Sequence, residues 1–326
     1  MSLDMIQNLE EFVGTQLHLL KPVKDCWQPS DILPDLTGKL WKEELNDLRE
    51  RALGLSDEVL VVLVGNLVTE EALPSYQAWL NRYKGLGDKT GASLNPWAVW
   101  TRSWTAEENR HGEALNKYLY LSGRVNMRSV EVTTQFLIKN GFDMRSEGDL
   151  YHALVYASFQ ERATKISHGN TGRLAEKCGD VVLGRVCSLI AGDEARHEEG
   201  YKRFFGKIVE LEPSQALMAF AGMMKQRVAM PARLMSDGSS RDIFGQFALA
   251  AQRVGVYTTR DYADVIEHLV QYWNIPNLSG LSGEACEAQD YLCNLGEKFR
   301  GKVERFERMI AKLPREPFGW IFDRCA

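Results

Sequence analysis

Two short segments of the chain repeat the same order of acid, glutamate, arginine and histidine. Residues 106–111 read Ala-Glu-Glu-Asn-Arg-His, and residues 192–197 read Gly-Asp-Glu-Ala-Arg-His. In both, a glutamate precedes a histidine by three residues: Glu108 precedes His111, and Glu194 precedes His197. Both segments lie deep in predicted helices, where side chains three residues apart share one face. The fold must therefore bring together two helices that each present a carboxylate and an imidazole.

Two further glutamates stand alone within apolar helical stretches. Glu70 follows the apolar run at 63–68, and Glu161 follows the apolar run at 155–159. A buried carboxylate without a partner is costly, so each needs a base, a hydrogen-bond donor or a metal ion. Two Glu-x-x-His pairs, with one lone glutamate on each of two other helices, form the ligand set of a dimetal carboxylate four-helix bundle. The predicted metal ligands are Glu70, Glu108, His111, Glu161, Glu194 and His197.

Helical periodicity dominates the rest of the chain, and alternating β-type stretches are scarce. Helices are predicted over 59–83, 96–121, 151–177, 181–209, 215–235, 244–254, 261–273 and 284–310, with glycine- or proline-containing breaks between them. The sequence contains no internal repeat and no long linker. We therefore predict one all-α domain over residues 1–326, with a ferritin-like four-helix bundle as its core and a metal site inside the bundle.

Charge and composition narrow the compartment and the partners. The net charge of −5 disfavours binding to nucleic acid over the whole surface. No window reaches 18 apolar residues, because the longest run, 59–68, contains Gly65 and Asn66, so we expect no membrane insertion. Acids precede any arginine at the N-terminus, unlike a secretory signal or a transit peptide. The six cysteines form no C-x-x-C motif, which is typical of reduced thiols.

Other candidate polar residues have simpler interpretations. Asp149 and His152 have the same spacing, but they lie at a predicted helix start and are interpreted as an N-terminal acid beside a surface histidine. His168 is interpreted as a hydrogen-bonding residue rather than a ligand. The acids expected to be solvated, because they lie off the ligand stripe, are Glu107, Glu198 and Glu199. Trp100 and Trp104 are expected in the core.

Longer segments around these motifs resemble the soluble acyl-carrier-protein desaturases of plant plastids. The similarity extends from Leu20 to Arg324 and includes the flanks of every predicted ligand. The segments that carry it are 69–74, 104–112, 116–125, 158–164, 166–171, 250–253, 256–258 and 320–324.

The resemblance implies a homodimeric all-α enzyme of fatty acid biosynthesis. Such an enzyme introduces a cis double bond into a saturated acyl chain, usually stearoyl, carried on acyl carrier protein. It uses O2 and electrons from reduced ferredoxin, and it holds two iron ions per subunit on ligands that match the six residues predicted from spacing. The resemblance also implies a soluble protein, located either in the plastid stroma as a mature form or in a bacterial cytoplasm.

Three more residues take their expected roles from the resemblance. Thr164 matches an active-site threonine near the O2 position, where a hydroxyl can donate a proton or a hydrogen bond. Asp193 matches an acid that pairs with a ligating histidine and orients its ring. Trp27 matches a tryptophan that relays electrons towards that pair. From the residues alone, a packed core tryptophan is an equal alternative.

The acyl pocket is where the chain departs from the family pattern. Arg82 and Tyr83 are bulkier than the residues usual at these positions, and Met144 replaces a proline. Ser146 and Ala153 lie in the same lining segment. We predict a shortened tunnel, with a preference for chains below eighteen carbons or a differently placed double bond. On an unbroken helix, however, Tyr83 would point away from the metal ligands. In that alternative both side chains point to the surface, and a stearoyl preference persists.

Two other function classes fit the ligand set alone. A ribonucleotide-reductase-type radical subunit would need a tyrosine beside the iron. A ferritin-like iron store would assemble into a large shell and would need no acyl tunnel.

For docking of a small acidic carrier protein, the basic candidates are Lys21, Lys24, Lys225, Arg227 and Arg233.

Overall fold

The computed structural model describes residues 3–83, 86–144, 149–228, 230–239 and 241–326, and most of these are helical. The α-helices are α1 (Leu3–Gln16), α2 (Trp41–Leu53), α3 (Asp57–Glu71), α4 (Leu73–Asn81), α5 (Pro96–Ser122), α6 (Met127–Asn140), α7 (Leu150–Lys177), α8 (Val181–Leu211), α9 (Pro213–Lys225), α10 (Ile243–Arg253), α11 (Thr259–Tyr272), α12 (Gly283–Cys293), α13 (Leu295–Arg300) and α14 (Val303–Ile310). Two short antiparallel strands, β1 (Pro317–Phe318) and β2 (Arg324–Cys325), pair near the C-terminal end.

The core is a bundle of α3, α5, α7 and α8. Helices α7 and α8 pack against each other along most of their length, and α3 packs on both α5 and α7. The turn between α7 and α8 is tight, because Gly179 adopts a φ of 90°, which other residues rarely tolerate. Asp180 then caps α8 by accepting the N–H of Leu183 at 2.9 Å. The predicted all-α fold with a four-helix bundle core is confirmed.

Helix α3 is strongly apolar, and every residue from Val59 to Glu70 is buried. It begins after Ser56, whose side chain accepts the N–H of Val59. Among the described residues, Asp57–Asn81 is the stretch that is long and apolar enough to cross a bilayer, with a mean hydropathy of 1.3. Because 78% of its apolar window is buried inside the fold, it has the character of a core helix.

The predicted helix over 59–83 is divided in the structure. Helix α3 ends at Glu71, and Pro74 lies in the first turn of α4, where a backbone N–H would have no acceptor within the helix. Within one continuous helix, the proline ring would collide with the carbonyl of Glu70. Ala72 between the two helices has a non-helical ψ of 13°, so α4 does not continue the register of α3. Glu70 consequently lies in the last turn of α3.

The remaining helices surround the bundle. Helix α9 packs on α7, α8 and α12, while α10 packs on α3 and α11 packs on α7. The helix predicted over 215–235 is shorter in the structure. It ends at Lys225, and a separate 3₁₀ turn begins at Pro231. The helix predicted over 284–310 is interrupted at Asn294 and Gly301. These breaks allow α10, α11 and the segment after α9 to enclose a space beside the bundle.

Candidate metal centre

Each helix of the bundle contributes to one buried cluster of acids and histidines. Helix α3 carries the first lone glutamate, α5 and α8 each carry a Glu-x-x-His pair, and α7 carries the second lone glutamate. The structure brings together all six residues that spacing predicted, and all are buried: Glu70, Glu108, His111, Glu161, Glu194 and His197.

The cluster consists of two overlapping ligand groups, and the ligand atoms of each group lie within 4.8 Å of one another. The first group contains Glu70 and His111, and the second contains Glu161 and His197. Glu108 and Glu194 belong to both groups. This is the arrangement expected for two metal positions that share two carboxylates, each with its own histidine and its own lone glutamate.

Both histidines turn Nδ1 towards the carboxylates. Nδ1 of His111 is 3.1 Å from Oε2 of Glu108 and 3.5 Å from Oε1 of Glu194. Nδ1 of His197 is 2.7 Å from Oε1 of Glu108 and 3.6 Å from Oε2 of Glu161. The two oxygens of Glu108 therefore face different histidines, as a bridging carboxylate requires.

Protein groups alone leave this cluster incompletely satisfied. Oε1 of Glu108 and Oε2 of Glu161 are buried without a well-aligned hydrogen bond, and so is Nδ1 of His197 despite its short distance to Glu108. Burial and the neighbouring charges of Glu194 and Glu108 raise the pKa of Glu161 well above its usual range. Two divalent cations would offset four clustered carboxylates. Oxygen donors with two imidazoles suit such ions, so the residues fit a metal pair.

Each lone glutamate is held by a neighbouring side chain. Oε1 of Glu70 is 2.8 Å from Nε2 of His168, in agreement with the prediction that this histidine forms a hydrogen bond. Oε1 of Glu161 accepts the indole N–H of Trp104 at 3.1 Å. Trp104 was expected only to pack in the core, so this hydrogen bond was not predicted. The third acid–histidine pair lies elsewhere, where Asp149 caps α7.

Two acids lie behind the histidines, on the side away from the cluster. Oδ2 of Asp193 is 3.4 Å from Nε2 of His111. Oε2 of Glu107 is 3.2 Å from Nε2 of His197. The prediction that Glu107 is solvated is wrong: it is 2% exposed, because His197 and the backbone N–H of Lys21, at 2.6 Å, hold it inside. The repeat could have revealed it, since Glu107 and Asp193 occupy the same position in the two motifs.

Glu198 was also predicted to be solvated, and it is buried. Its carboxylate lies 2.9 Å from Arg162, 3.0 Å from Lys165 and 3.0 Å from Lys202. Two of these cations come from the adjacent helix α7, so the face of α8 alone could not reveal them. Glu199, the third acid expected to be solvated, is partly buried, with 28% of its side chain exposed.

Trp27 is connected to the cluster through Asp193. Its indole N–H donates to Oδ2 of Asp193 at 2.8 Å, and its ring is nearly parallel to that of His111 at 6.2 Å between centroids. The guanidinium of Arg110 lies 4.8 Å over the indole ring and donates to the Trp27 carbonyl at 2.8 Å. A half-buried tryptophan is thus joined to a cluster histidine through a single carboxylate.

An apolar channel runs from the surface to the cluster. Its outer part is a cavity of about 520 Å³ with Phe306 and Arg227 at an exposed end and Glu70 and Thr164 at the inner end. A smaller cavity of about 70 Å³ shares Glu70 and Thr164 and continues past the cluster. Its far wall is aromatic, formed by Tyr76, Trp79, Phe142 and Tyr156.

Thr164 lies where the two cavities meet, one turn after Glu161. Its hydroxyl is within 3.0 Å of the Gln160 carbonyl and 3.1 Å of the Glu161 carbonyl. The position places this threonine beside both the channel and the cluster.

Comparison with known proteins agrees with this architecture. Residues 1–322 match a family model described as fatty acid desaturase. The chain is 53% identical over 306 residues to a chloroplastic stearoyl-[acyl-carrier-protein] 9-desaturase of Gossypium hirsutum. The aligned region covers 94% of this chain and 77% of the relative. It is 52% identical over 323 residues to a chloroplastic acyl-[acyl-carrier-protein] desaturase of Cucumis sativus, with 99% and 82% covered.

Among solved structures, DesA2 from Mycobacterium tuberculosis H37Rv has a similar fold. The TM-score is 0.58 at 17% identity, and the match covers 88% of this chain and 99% of that chain. At this identity the likeness concerns the fold alone, and it supports the bundle architecture described above.

Proposed function

The chain belongs to the fatty acid desaturase family, and from this premise we propose that it introduces a cis double bond into a saturated acyl chain carried on acyl carrier protein. The observation that supports this most directly is the apolar channel that runs from the surface to the acid–histidine cluster and continues past it. A run of methylenes can fill such a channel without leaving polar atoms unpaired. A ferritin-like iron store or a radical subunit requires no channel of this kind.

We assign the cluster as the site of two iron ions, which its four glutamates and two histidines would hold. Bound iron supplies the O2-dependent oxidation that removes two hydrogens from neighbouring methylenes. The protein holds the ligands at fixed positions, with His168 and Trp104 each fixing one lone glutamate. The channel walls orient the chain and exclude water from the reacting carbons.

The activity test uses the purified chain reconstituted with ferrous iron, reduced ferredoxin and O2. Saturated acyl carrier protein thioesters of several lengths serve as substrates, with free fatty acids as the comparison. We expect cis-monoenoic products from the carrier thioesters, identified by mass spectrometry with the position of the double bond. Absence of product from every carrier thioester, with iron bound, would contradict the proposed function.

Thr164→Val is expected to leave the iron content intact and to lower the product formed per O2 consumed by roughly tenfold or more. Valine is similar in size but lacks the hydroxyl that lies at the junction of channel and cluster. Thr69→Val is the matched control, because Thr69 lines both cavities and its hydroxyl donates to the Gly65 carbonyl at 2.8 Å. Equal coupling in Thr164→Val and wild type would show that Thr164 only packs.

Of the five basic residues predicted for carrier docking, Lys225 and Arg227 lie near the channel mouth, where the structure adds Lys298. Arg227 lines the channel mouth, and near it Lys225 and Lys298 lie over the ring of Tyr291 at 5.4 and 5.9 Å. Within the described part of the chain, these three cations form no ion pair. Their free charge beside the channel mouth supports docking of an acidic carrier there.

The other basic candidates lie elsewhere or are already paired. Lys21 is 3.9 Å from Asp193, and Lys24 belongs to the same segment beside Trp27. Arg233 forms an ion pair with Asp143 at 3.5 Å. We therefore assign carrier docking to the channel mouth rather than to these residues.

Lys225→Glu combined with Lys298→Glu is expected to raise KM for the carrier-bound substrate at low salt by roughly tenfold, with little change in kcat. Removing complementary charge at a rim mainly slows association. Lys39→Glu combined with Lys42→Glu is the control of equal charge change, because both lysines are exposed and neither lines the channel. A KM that is unchanged in the variant, and insensitive to salt between about 50 and 200 mM in wild type, would contradict electrostatic docking at the mouth.

Four further features complete the proposal. The route from Trp27 through Asp193 to His111 supports ferredoxin as the electron donor. We propose that residues 1–326 act as one domain and that the enzyme is a homodimer of the 36.9 kDa chain, which light scattering would test. Since its relatives are named as chloroplastic, we propose a soluble protein of the plastid stroma or of a bacterial cytoplasm.

A further inference from the structure

Two arginines and two acids form a closed ring of ion pairs on the outer side of the cluster. Nη2 of Arg110 lies 3.0 Å from Oδ2 of Asp193 and 3.7 Å from Oε2 of Glu107. Nη1 of Arg196 donates to Oδ1 of Asp193 at 2.7 Å, and its Nη2 donates to Oε2 of Glu107. These four residues are termed the arginine–acid ring. With two charges of each sign, the ring adds no net charge beside the cluster.

The ring contacts both histidines, and each contact crosses from one motif to the other. Asp193 on α8 lies behind His111 on α5, at 3.4 Å. Glu107 on α5 lies behind His197 on α8, at 3.2 Å. The two Glu-x-x-His motifs are therefore interlocked: each provides the acid that orients the histidine of the other.

The segment after α1 covers the outer side of the ring. The backbone N–H of Lys21 donates to Oε1 of Glu107, and Nε of Arg196 donates to the carbonyl of Leu19 at 3.1 Å. Trp27 bonds the other half of the ring through its indole N–H and its carbonyl. With both acids buried and bonded to several donors, the ring has little freedom to move.

We propose that Glu107 is a positioning residue for the metal centre, equivalent to Asp193, and that the arginine–acid ring holds His111 and His197 as one unit. This inference rests on the proposed metal site. A carboxylate behind Nε2 keeps the proton on that nitrogen and leaves Nδ1 to bind a metal. Loss of either acid frees one imidazole and removes one partner from both arginines, which loosens the ring at the second imidazole.

The test measures metal binding by Glu107→Gln, Asp193→Asn and the double variant. Fe(II) affinity is determined anaerobically by competition with a chelator, and the visible absorption of bound Co(II) reports the ligand geometry. We expect each single variant to bind Fe(II) roughly 10- to 100-fold more weakly, with an altered Co(II) spectrum. Because the ring acts as one unit, the double variant should lose much less than the product of the two single losses.

Glu198→Gln is the matched control. Glu198 is equally buried and is held by cations, but its cations are Arg162, Lys165 and Lys202, and it contacts no cluster histidine. We expect a lower Tm with unchanged Fe(II) affinity and Co(II) spectrum. Glu107→Asp keeps the charge and provides a folded comparison if Glu107→Gln is unstable. Partial recovery of affinity is expected for it.

Wild-type affinity and spectrum in folded Glu107→Gln would overturn the inference, as would an equal loss in Glu198→Gln or a Glu107→Asp variant that binds Fe(II) no better than Glu107→Gln. Multiplicative losses in the double variant would show that the two acids act separately. Failure of the wild-type chain to bind metal would instead contradict the proposed function. A chain that binds two metal ions and desaturates, but is indifferent to Glu107, would contradict the inference alone.

Discussion

His111→Ala combined with His197→Ala is expected to lower Fe(II) affinity by more than roughly 100-fold and to abolish desaturation. Each ligand group contains one imidazole, so the double variant retains only carboxylates. Changing an outer partner of a ligating histidine already costs about 10- to 100-fold, and loss of the ligand itself should cost more. Carboxylates alone also select Fe(II) poorly. Anaerobic titration and the iron content per subunit after desalting measure the effect.

His152→Ala is the matched control for this pair. His152 also follows an acid by three residues, but it lies at the N-terminus of α7, with its Nδ1 2.7 Å from Asp149. We expect full iron content and activity in this variant. Thermal unfolding separates loss of metal from loss of fold, because alanine leaves cavities at two buried sites. Full iron occupancy in the double cluster variant would show that the ligand assignment is wrong.

The cluster could be predicted because helical spacing fixes side-chain direction. Glu108 and His111 share a face in any helix, and so do Glu194 and His197. Glu70 and Glu161 required a second argument, the cost of a buried carboxylate in an apolar stretch. Neither argument depends on how the helices are arranged, and a four-helix bundle then brings the faces together.

The outer acids could not be predicted in this way. Glu107 precedes the ligand Glu108 by one residue, and Glu198 follows the ligand His197 by one residue. Each therefore points away from the cluster on its own helix. That side would be solvated on an isolated pair of helices. Here the segment that contains Lys21 covers Glu107, and cations of α7 reach Glu198. Which segment covers a helix face depends on tertiary structure, which helical periodicity does not contain.

Tyr83 shows a different limit of reasoning from periodicity. Placing it on the surface required an unbroken helix from Glu70, and Pro74 interrupts that helix. Tyr83 is 4% exposed, so a surface position is wrong for it. Of the other lining positions, Met144 and Ala153 are buried, and Ser146 lies outside the described residues.

Aromatic rings line the part of the channel beyond the cluster. Trp79 lies edge-on to Phe142 at 5.1 Å and to Tyr156 at 5.6 Å between centroids, and all three line the small cavity. Tyr83 packs edge-on against Trp79 at 5.6 Å, with its hydroxyl 4.0 Å from the Met144 sulfur. Tyr83 does not itself line the cavity, so we expect any limit that it sets on the channel to act through its contact with Trp79.

We expect wild type to prefer palmitoyl over stearoyl carrier protein, and Tyr83→Leu to shift this preference towards stearoyl by roughly tenfold. Leucine leaves room for Trp79 to retreat, and two additional methylenes gain about 0.8 kcal/mol each on burial. Both thioesters compete in one reaction, and mass spectrometry gives the product ratio. Arg82→Leu is the control, because the exposed Arg82 lies over the Tyr83 ring at 5.2 Å and does not line the cavity. If wild type prefers stearoyl and Tyr83→Leu has the same ratio, then Trp79 does not depend on Tyr83, and the channel length is set elsewhere.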